Sequence, residues 1–273
     1  MRAYHKRQAT HLLLRGGEAL GDYILETVGL TKEFAGFRAV SGVDLRIRRG
    51  AIHALIGPNG AGKTTVFNLL TKFLEPSDGR IVYDGRDITE LRAPEVARLG
   101  MVRSFQISAV FPHLSVRENV RIALQRPIGT SFHFWRSERS LERLNPRADA
   151  LIAAVGLAAD TLSTAAELPY GRKRALEIAT TLALEPEMLL LDEPMAGLGH
   201  EDIARISALI RDAARSRTVL MVEHNLSVVA DLSDTITVLT RGRVLAEGSY
   251  AEISGNAEVR EAYMGTGAPA GHA

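Results

Sequence analysis

Cysteine is absent from the 273-residue chain, which excludes disulfides, thiolate metal sites and thiol nucleophiles and suits a reducing compartment. Neither sign of charge prevails. The 33 Lys and Arg stand against 32 Asp and Glu, and a net charge of +1 argues against a surface built to grip nucleic acid phosphates. Long apolar runs are missing too: the longest stretches free of Lys, Arg, Asp and Glu are Gly50 to Gly62 and Ser104 to Val116. Both fall short of the ~18 apolar residues a membrane-spanning helix requires. The first residues carry Arg2, Lys6, Arg7 and Arg15 around a short Leu12 to Leu14 run, too brief an apolar region for a signal peptide. Residues 1–22 therefore read as a basic extension, either touching a membrane surface or a tail without function.

What is present is the composition of an ordinary globular protein, 46% hydrophobic and 24% charged, sufficient for one domain with a subdomain or two small domains. From Tyr23 to Ile56 the pattern is one of short strands; Val43, Leu45 and Ile47 alternate with Asp44, Arg46 and Arg48, predicting a half-exposed antiparallel sheet. Ala51 to Ile56 is more continuously apolar. A Gly-rich turn follows, then a helix with Val66, Leu69, Leu70 and Phe73 on one face, ended by Pro76 and Ser77-Asp78-Gly79. Between about residues 107 and 166 strand character disappears in favour of helical stretches, Val116 to Leu124 and Ala148 to Val155, which read as a helical insert. Beyond it, helices over Arg174 to Leu184, over Ile203 to Ala214 and from Leu226 alternate with strands Met188 to Leu191 and Thr218 to Val222. That alternation predicts an α/β fold with a mainly parallel sheet and crossover helices.

Gly57-Pro58-Asn59-Gly60-Ala61-Gly62-Lys63-Thr64 satisfies the P-loop pattern in the context the motif requires, directly after a buried strand and opening an amphipathic helix. Its glycines let consecutive backbone N–H groups turn toward phosphate oxygens, and the helix N-terminus adds its positive dipole end. Lys63 supplies a point charge, and the Thr64 hydroxyl can ligate Mg2+. Gly57 through Thr65 are thus read as ATP contacts. Met188 to Leu191 forms a strand whose C-terminal edge presents Asp192 and Glu193, where open parallel sheets put their ligand chemistry. Asp192 would hold the magnesium ion, directly or through water, and Glu193 would polarise the water that attacks the γ-phosphate.

With these motifs the chain from Tyr23 to Gly265 resembles the ATP-binding subunits of ABC transporters. The resemblance implies a P-loop NTPase core carrying an N-terminal antiparallel β subdomain and a helical subdomain at about 107–180, with 23–265 as the ATPase domain and 266–273 as a tail. It implies that Phe34 stacks on adenine, that Gln106 joins the magnesium site to the helical insert, and that His224 contacts the γ-phosphate. Leu168-Pro169-Tyr170-Gly171-Arg172 stands where the family carries its signature, with Tyr170 and Gly171 as nucleotide contacts, and Ala196 to Gly199 where it carries the loop that crosses the dimer. In the family, two subunits sandwich two ATP molecules, each between the P-loop of one and the signature helix of the other; closure moves the attached membrane domains and hydrolysis resets them. The implied partners are ABC permease subunits, a second ATPase subunit in a homo- or heterodimer and, indirectly, a solute-binding protein, with no nucleic acid; the implied location is the cytoplasmic face of the inner membrane, as a peripheral subunit.

Three positions depart from the family pattern, Pro169 and Arg172 in the signature and Gly199 in the dimer-crossing loop. Pro169 stands where a serine usually offers its hydroxyl to the γ-phosphate across the dimer, a loss of about 1.5–3 kcal/mol for one charge-assisted hydrogen bond; Arg172 is a candidate to compensate. Gly199 replaces a common Asp or Asn. Three further features resemble the branch that imports branched-chain amino acids: Tyr170-Gly171 followed by Arg174 to Ala179, the irregular piece Gln125 to Arg147, and the ending Glu258 to Gly265. Within the irregular piece, Phe132, Phe134 and Trp135 are either a permease docking surface or core. Branches serving urea or lipopolysaccharide share parts of this set. Other classes that carry a P-loop are an ABC ATPase acting on DNA or ribosomes, disfavoured by a single P-loop and no heptads, a P-loop kinase, and a regulatory protein that hydrolyses weakly.

Overall fold

A computed structural model describes residues 21–104, 110–126 and 139–264. Gln106, Phe132, Phe134, Trp135, Gly265, residues 1–20 of the basic extension and the tail 266–273 lie outside the described residues. In chain order the elements are β1 (Tyr23–Phe34), β2 (Phe37–Val43), β3 (Arg46–Arg48), β4 (Ile52–Ile56), α1 (Lys63–Leu70), β5 (Asp78–Tyr83), β6 (Arg86–Asp87), α2 (Ala93–Arg98), β7 (Met101–Ser104), α3 (Val116–Gln125), α4 (Arg139–Glu142) and α5 (Asn145–Ala154). After two 3-10 turns come α6 (Tyr170–Leu182), β8 (Met188–Asp192), α7 (His200–Ala214), β9 (Thr218–Val222), α8 (Leu226–Leu232), β10 (Thr235–Thr240), β11 (Arg243–Gly248), α9 (Tyr250–Gly255) and α10 (Ala257–Met264).

The first sheet is antiparallel, ordered β2-β1-β5-β6 with β3 on the edge of β1. Its alternation is as expected from period two: Val43, Leu45 and Ile47 are fully buried, while Asp44, Arg46 and Arg48 face solvent. The second sheet runs β11-β10-β4-β9-β8-β7, with only the β10–β11 pair antiparallel. Its central strands β4, β8 and β9 are buried along their whole length, the mark of strands covered on both faces. One core lies between the two sheets and includes α1, through Val66, Phe67, Leu69 and Leu70. The other lies on the opposite face of the parallel sheet and gathers α3, α5, α6, α7 and α8.

Phe73 departs from the expected helix face. α1 ends at Leu70, Thr71 caps it, Lys72 takes a positive φ of 60°, and Phe73 is 54% exposed. Helices α5, α6 and α7 begin about one turn earlier than the apolar periodicity suggests.

Candidate functional site

The parallel register brings the motifs to one edge. β4 ends in the P-loop, β8 in Asp192 and Glu193, β9 in Glu223 and His224; Leu55 pairs with Val222 and Val222 with Asp192. The P-loop and the acidic pair therefore flank a single strand, roughly 10 Å apart at two interstrand spacings.

Within the loop, two glycines are required by close approach. A Cβ on Gly57 (φ 149°) would lie 2.2 Å from the Leu239 carbonyl oxygen, and one on Gly62 (φ 101°) 2.7 Å from that of Ala39. The loop is braced by Ala61 N–H donating to the Pro58 carbonyl at 3.1 Å and by Gly242 N–H donating to the Ala61 carbonyl at 2.9 Å. Gly62 is the N-cap of α1 with no side-chain cap, so amides of the first turn remain for a phosphate. Asn59, Gly60 and Thr64 are exposed, Pro58 and Thr65 half-buried. Lys63 is buried and donates its Nζ to the Gly57 and Pro58 carbonyls at 2.6 and 3.1 Å. Burial pushes its ammonium below the usual lysine range, and the nearby Glu193 and Asp192 carboxylates oppose that shift. Both acids thus act on the P-loop lysine.

Asp192 is 1% exposed and accepts from Arg103 Nη2 at 2.5 Å, while Arg103 Nη1 donates to Asn68 Oδ1 of α1 at 2.6 Å. Glu193 follows with φ 44°, a conformation uncommon outside glycine, and its N–H donates to the Val222 carbonyl at 2.9 Å. His224 is exposed at the end of β9. Phe34, 43% exposed at the end of β1, has Lys32 Nζ 5.3 Å from its ring centroid.

The signature segment sits at the head of α6. Pro169 is the N-cap, not a residue of the first turn, and the helix begins at Tyr170. Tyr170 is 58% exposed, and its ring lies 3.4 Å from where a Cβ on Gly197 would stand. Gly171 packs against Asp202 of α7, whose Oδ2 would be 2.1 Å from a Cβ at that position. Arg172 is already engaged: its Nη1 donates to Asp160 Oδ2 at 2.5 Å within the same chain. Compensating for the hydroxyl that Pro169 lacks would require this ion pair to open. Gly199 caps α7 without a side-chain bond and has open space around it.

Sequence reasoning overlooked several residues of this edge. Arg174 of α6, buried, donates to the main-chain oxygens of Asp192 and Pro194 at 3.0 and 3.3 Å and pairs with Glu177 at 2.6 Å, fastening the signature helix to the loop after β8. Arg103 and Glu223 belong to no motif; the sequence signal for Glu223, an acid directly after a buried strand, is the same as that for Asp192 and Glu193.

Thr64 in the first turn of α1 and Asp192 at the end of β8 supply hard oxygen donors suited to Mg2+. Among the described residues no cluster of three or more His, Asp or Glu forms a separate metal site, and no helix is long and apolar enough to cross a membrane.

The arrangement can cradle a nucleoside triphosphate and carry an acid to its terminal phosphate, and comparison with known proteins agrees. The family model described as ABC transporter matches residues 40–196, and that described as branched-chain amino acid ATP-binding cassette transporter matches residues 243–269. The chain is 39% identical over 252 residues to the high-affinity branched-chain amino acid transport ATP-binding protein BraF of Pseudomonas aeruginosa, covering 89% of this chain and 98% of the relative. It is 36% identical over 249 residues to LivG of Escherichia coli, a protein of the same description, with the same coverage. Among solved structures, an ATP-binding cassette of an ABC transporter in its ADP conformation superposes with a TM-score of 0.78 at 28% identity, covering 89% of this chain and 99% of the other.

Proposed function

Since this chain belongs to the family of ABC transporter ATP-binding subunits, we propose that it binds and hydrolyses ATP to energise an importer of branched-chain amino acids. The observation that carries the reading is the convergence of the Gly57–Thr65 loop, Asp192, Glu193 and His224 at the C-terminal ends of adjacent strands. Backbone amides of the loop and Lys63 hold the β- and γ-phosphates, and Phe34 offers its exposed ring to adenine. Thr64, Asp192 and Gln106 hold magnesium, which when bound neutralises phosphate charge. Glu193 orients and deprotonates the attacking water, and His224 contacts the γ-phosphate. Tyr170 and Gly171 meet the nucleotide bound by a second ATPase subunit, identical or related.

The permease partner finds support in an apolar cavity of about 550 Å³ between α2, β7, α3 and α6, lined by Phe73, Val96, Ala97, Phe111 and Ile122. Of these, Phe73 and Phe111 are 54% and 52% exposed. A cytoplasmic helix of the permease is its proposed occupant, which holds the chain peripherally at the cytoplasmic face of the membrane; a solute-binding protein acts on the permease from the far side. Uptake of labelled leucine, isoleucine and valine by cells whose only copy of this chain carries Lys63→Ala tests the reading. Uptake is expected to fall to background while urea uptake is unchanged; uptake of the three amino acids at the wild-type rate overturns it.

A further inference from the structure

Glu223 is the residue after β9, fully buried at 0% exposure, and no step of the proposed hydrolysis uses it. Its two oxygens divide their work between two loops. Oε1 accepts the Met195 N–H at 2.9 Å, and Oε2 accepts those of His224 at 3.1 Å and Asn225 at 3.4 Å. Met195 lies two residues beyond Glu193 and immediately before the Ala196–Gly199 loop; Asn225 is the N-cap of α8, its side chain accepting from Ser227 and Val228 N–H. One carboxylate therefore ties the loop that follows Glu193 to the backbone of His224.

From this geometry we infer that Glu223 is a positioning residue for ATP hydrolysis, holding His224 in register with Glu193 and with the loop that leaves it. An exposed side chain such as His224 has no packing of its own to fix it, so its direction is set by the main chain that Glu223 grips. Two anionic acceptors facing three amides are satisfied only by a carboxylate. A glutamine would turn an NH2 group toward one of the two loops, donor against donor, and release it. An aspartate is one methylene short and reaches one loop only. The inference rests on the reading that His224 and Glu193 serve hydrolysis.

The test compares Glu223→Gln, Glu223→Asp, His224→Ala and the double variant Glu223→Gln/His224→Ala in the full-length chain, measuring ATP turnover, the Kd for a fluorescent ATP analogue and thermal unfolding. Misplacement of a catalytic group by an ångström costs on the order of a hundredfold in rate. Turnover in both Glu223 variants is accordingly expected to drop about tenfold to a hundredfold, with Kd within about threefold of wild type because the P-loop is untouched. In the double variant the loss is expected to be close to that of His224→Ala alone, since one residue acts through the other. Wild-type turnover in Glu223→Gln beside an inactive His224→Ala overturns this inference alone. A multiplicative loss in the double variant, a parallel fall in binding and turnover, or failure of both Glu223 variants to fold overturns it too, by making Glu223 independent of His224 or merely structural. Full turnover in His224→Ala by itself overturns the reading of the site, and this inference with it.

Discussion

Arg103 and Asp192 illustrate how a single pair sets the state of the site. Both side chains are buried, 10% and 1% exposed, so neither charge is stable without the other. Removing one member of such a pair costs about 3–5 kcal/mol because the remaining charge stays buried. Arg103→Met is expected to lower the unfolding midpoint of the nucleotide-free protein, with Mg2+ and ATP together restoring more stability than they add to wild type; calorimetry with and without nucleotide checks this. His53 gives a prediction in pH. It is buried in β4, its Nε2 lies 2.7 Å from Thr237 Oγ1, and that hydroxyl in turn donates to Glu247 at 2.5 Å, so Nε2 carries the proton of a neutral ring. Burial lowers its pKa from 6.5 to about 4. The unfolded chain takes up a proton below about pH 6.5 that the folded chain refuses until about pH 4, so stability is full above this window and declines as pH falls through it. The difference is roughly 3 kcal/mol across the window. Urea unfolding at several pH values is expected to show this decline, and His53→Gln, which keeps an N–H for Thr237, to flatten it.

Helix α6 shows what a local substitution does to an element. Pro169 occupies the N-cap without a side chain able to accept from the first turn, and it retains only its carbonyl bond from Lys173 N–H at 2.9 Å. Pro169→Ser supplies that acceptor, worth about 0.5–2 kcal/mol for a serine cap. The variant is expected to unfold at higher temperature and, if the signature meets the nucleotide of a second subunit as proposed, to turn over ATP faster; unchanged kinetics would count against the signature reading. The contact of α6 with α7 is equally specific: Gly171→Ala drives a methyl into the Asp202 carboxylate, and Gly171→Ala/Asp202→Ala is expected to recover most of the lost stability. Much of this layering was legible in the sequence. The buried strands, their alternation with helices and the P-loop follow from apolar runs, period-two patterning and glycine spacing. The starts of α5, α6 and α7 did not, because a helix's first turn is polar and lies ahead of the apolar period; Tyr170-Gly171-Arg172 and His200-Glu201-Asp202 have no stripe to read. Nor could spacing reveal that Arg172 reaches Asp160, or that Glu223 bridges two loops, since both contacts depend on how distant segments meet.

Across the whole molecule, the C-terminal segment returns to the nucleotide loop. Tyr263 of α10 is half-buried, and its hydroxyl receives a hydrogen bond from the Gly57 backbone; burial nonetheless pushes its pKa up to about 12, so it stays protonated at neutral pH. Tyr263→Phe removes this brace from the first residue of the P-loop, and a neutral hydrogen bond is worth about 1 kcal/mol. ATP affinity measured by fluorescence titration is expected to weaken by about fivefold, with the fold preserved. The central claim is that Glu193, presented at the edge of β8 beside the P-loop, drives ATP hydrolysis. Phosphate release at saturating Mg2+ and ATP, compared between the wild-type chain and Glu193→Gln in complex with the membrane subunits, addresses it most directly. The expected result is a drop of about a hundredfold or more in turnover with ATP still bound; turnover by Glu193→Gln at the wild-type rate would contradict the claim.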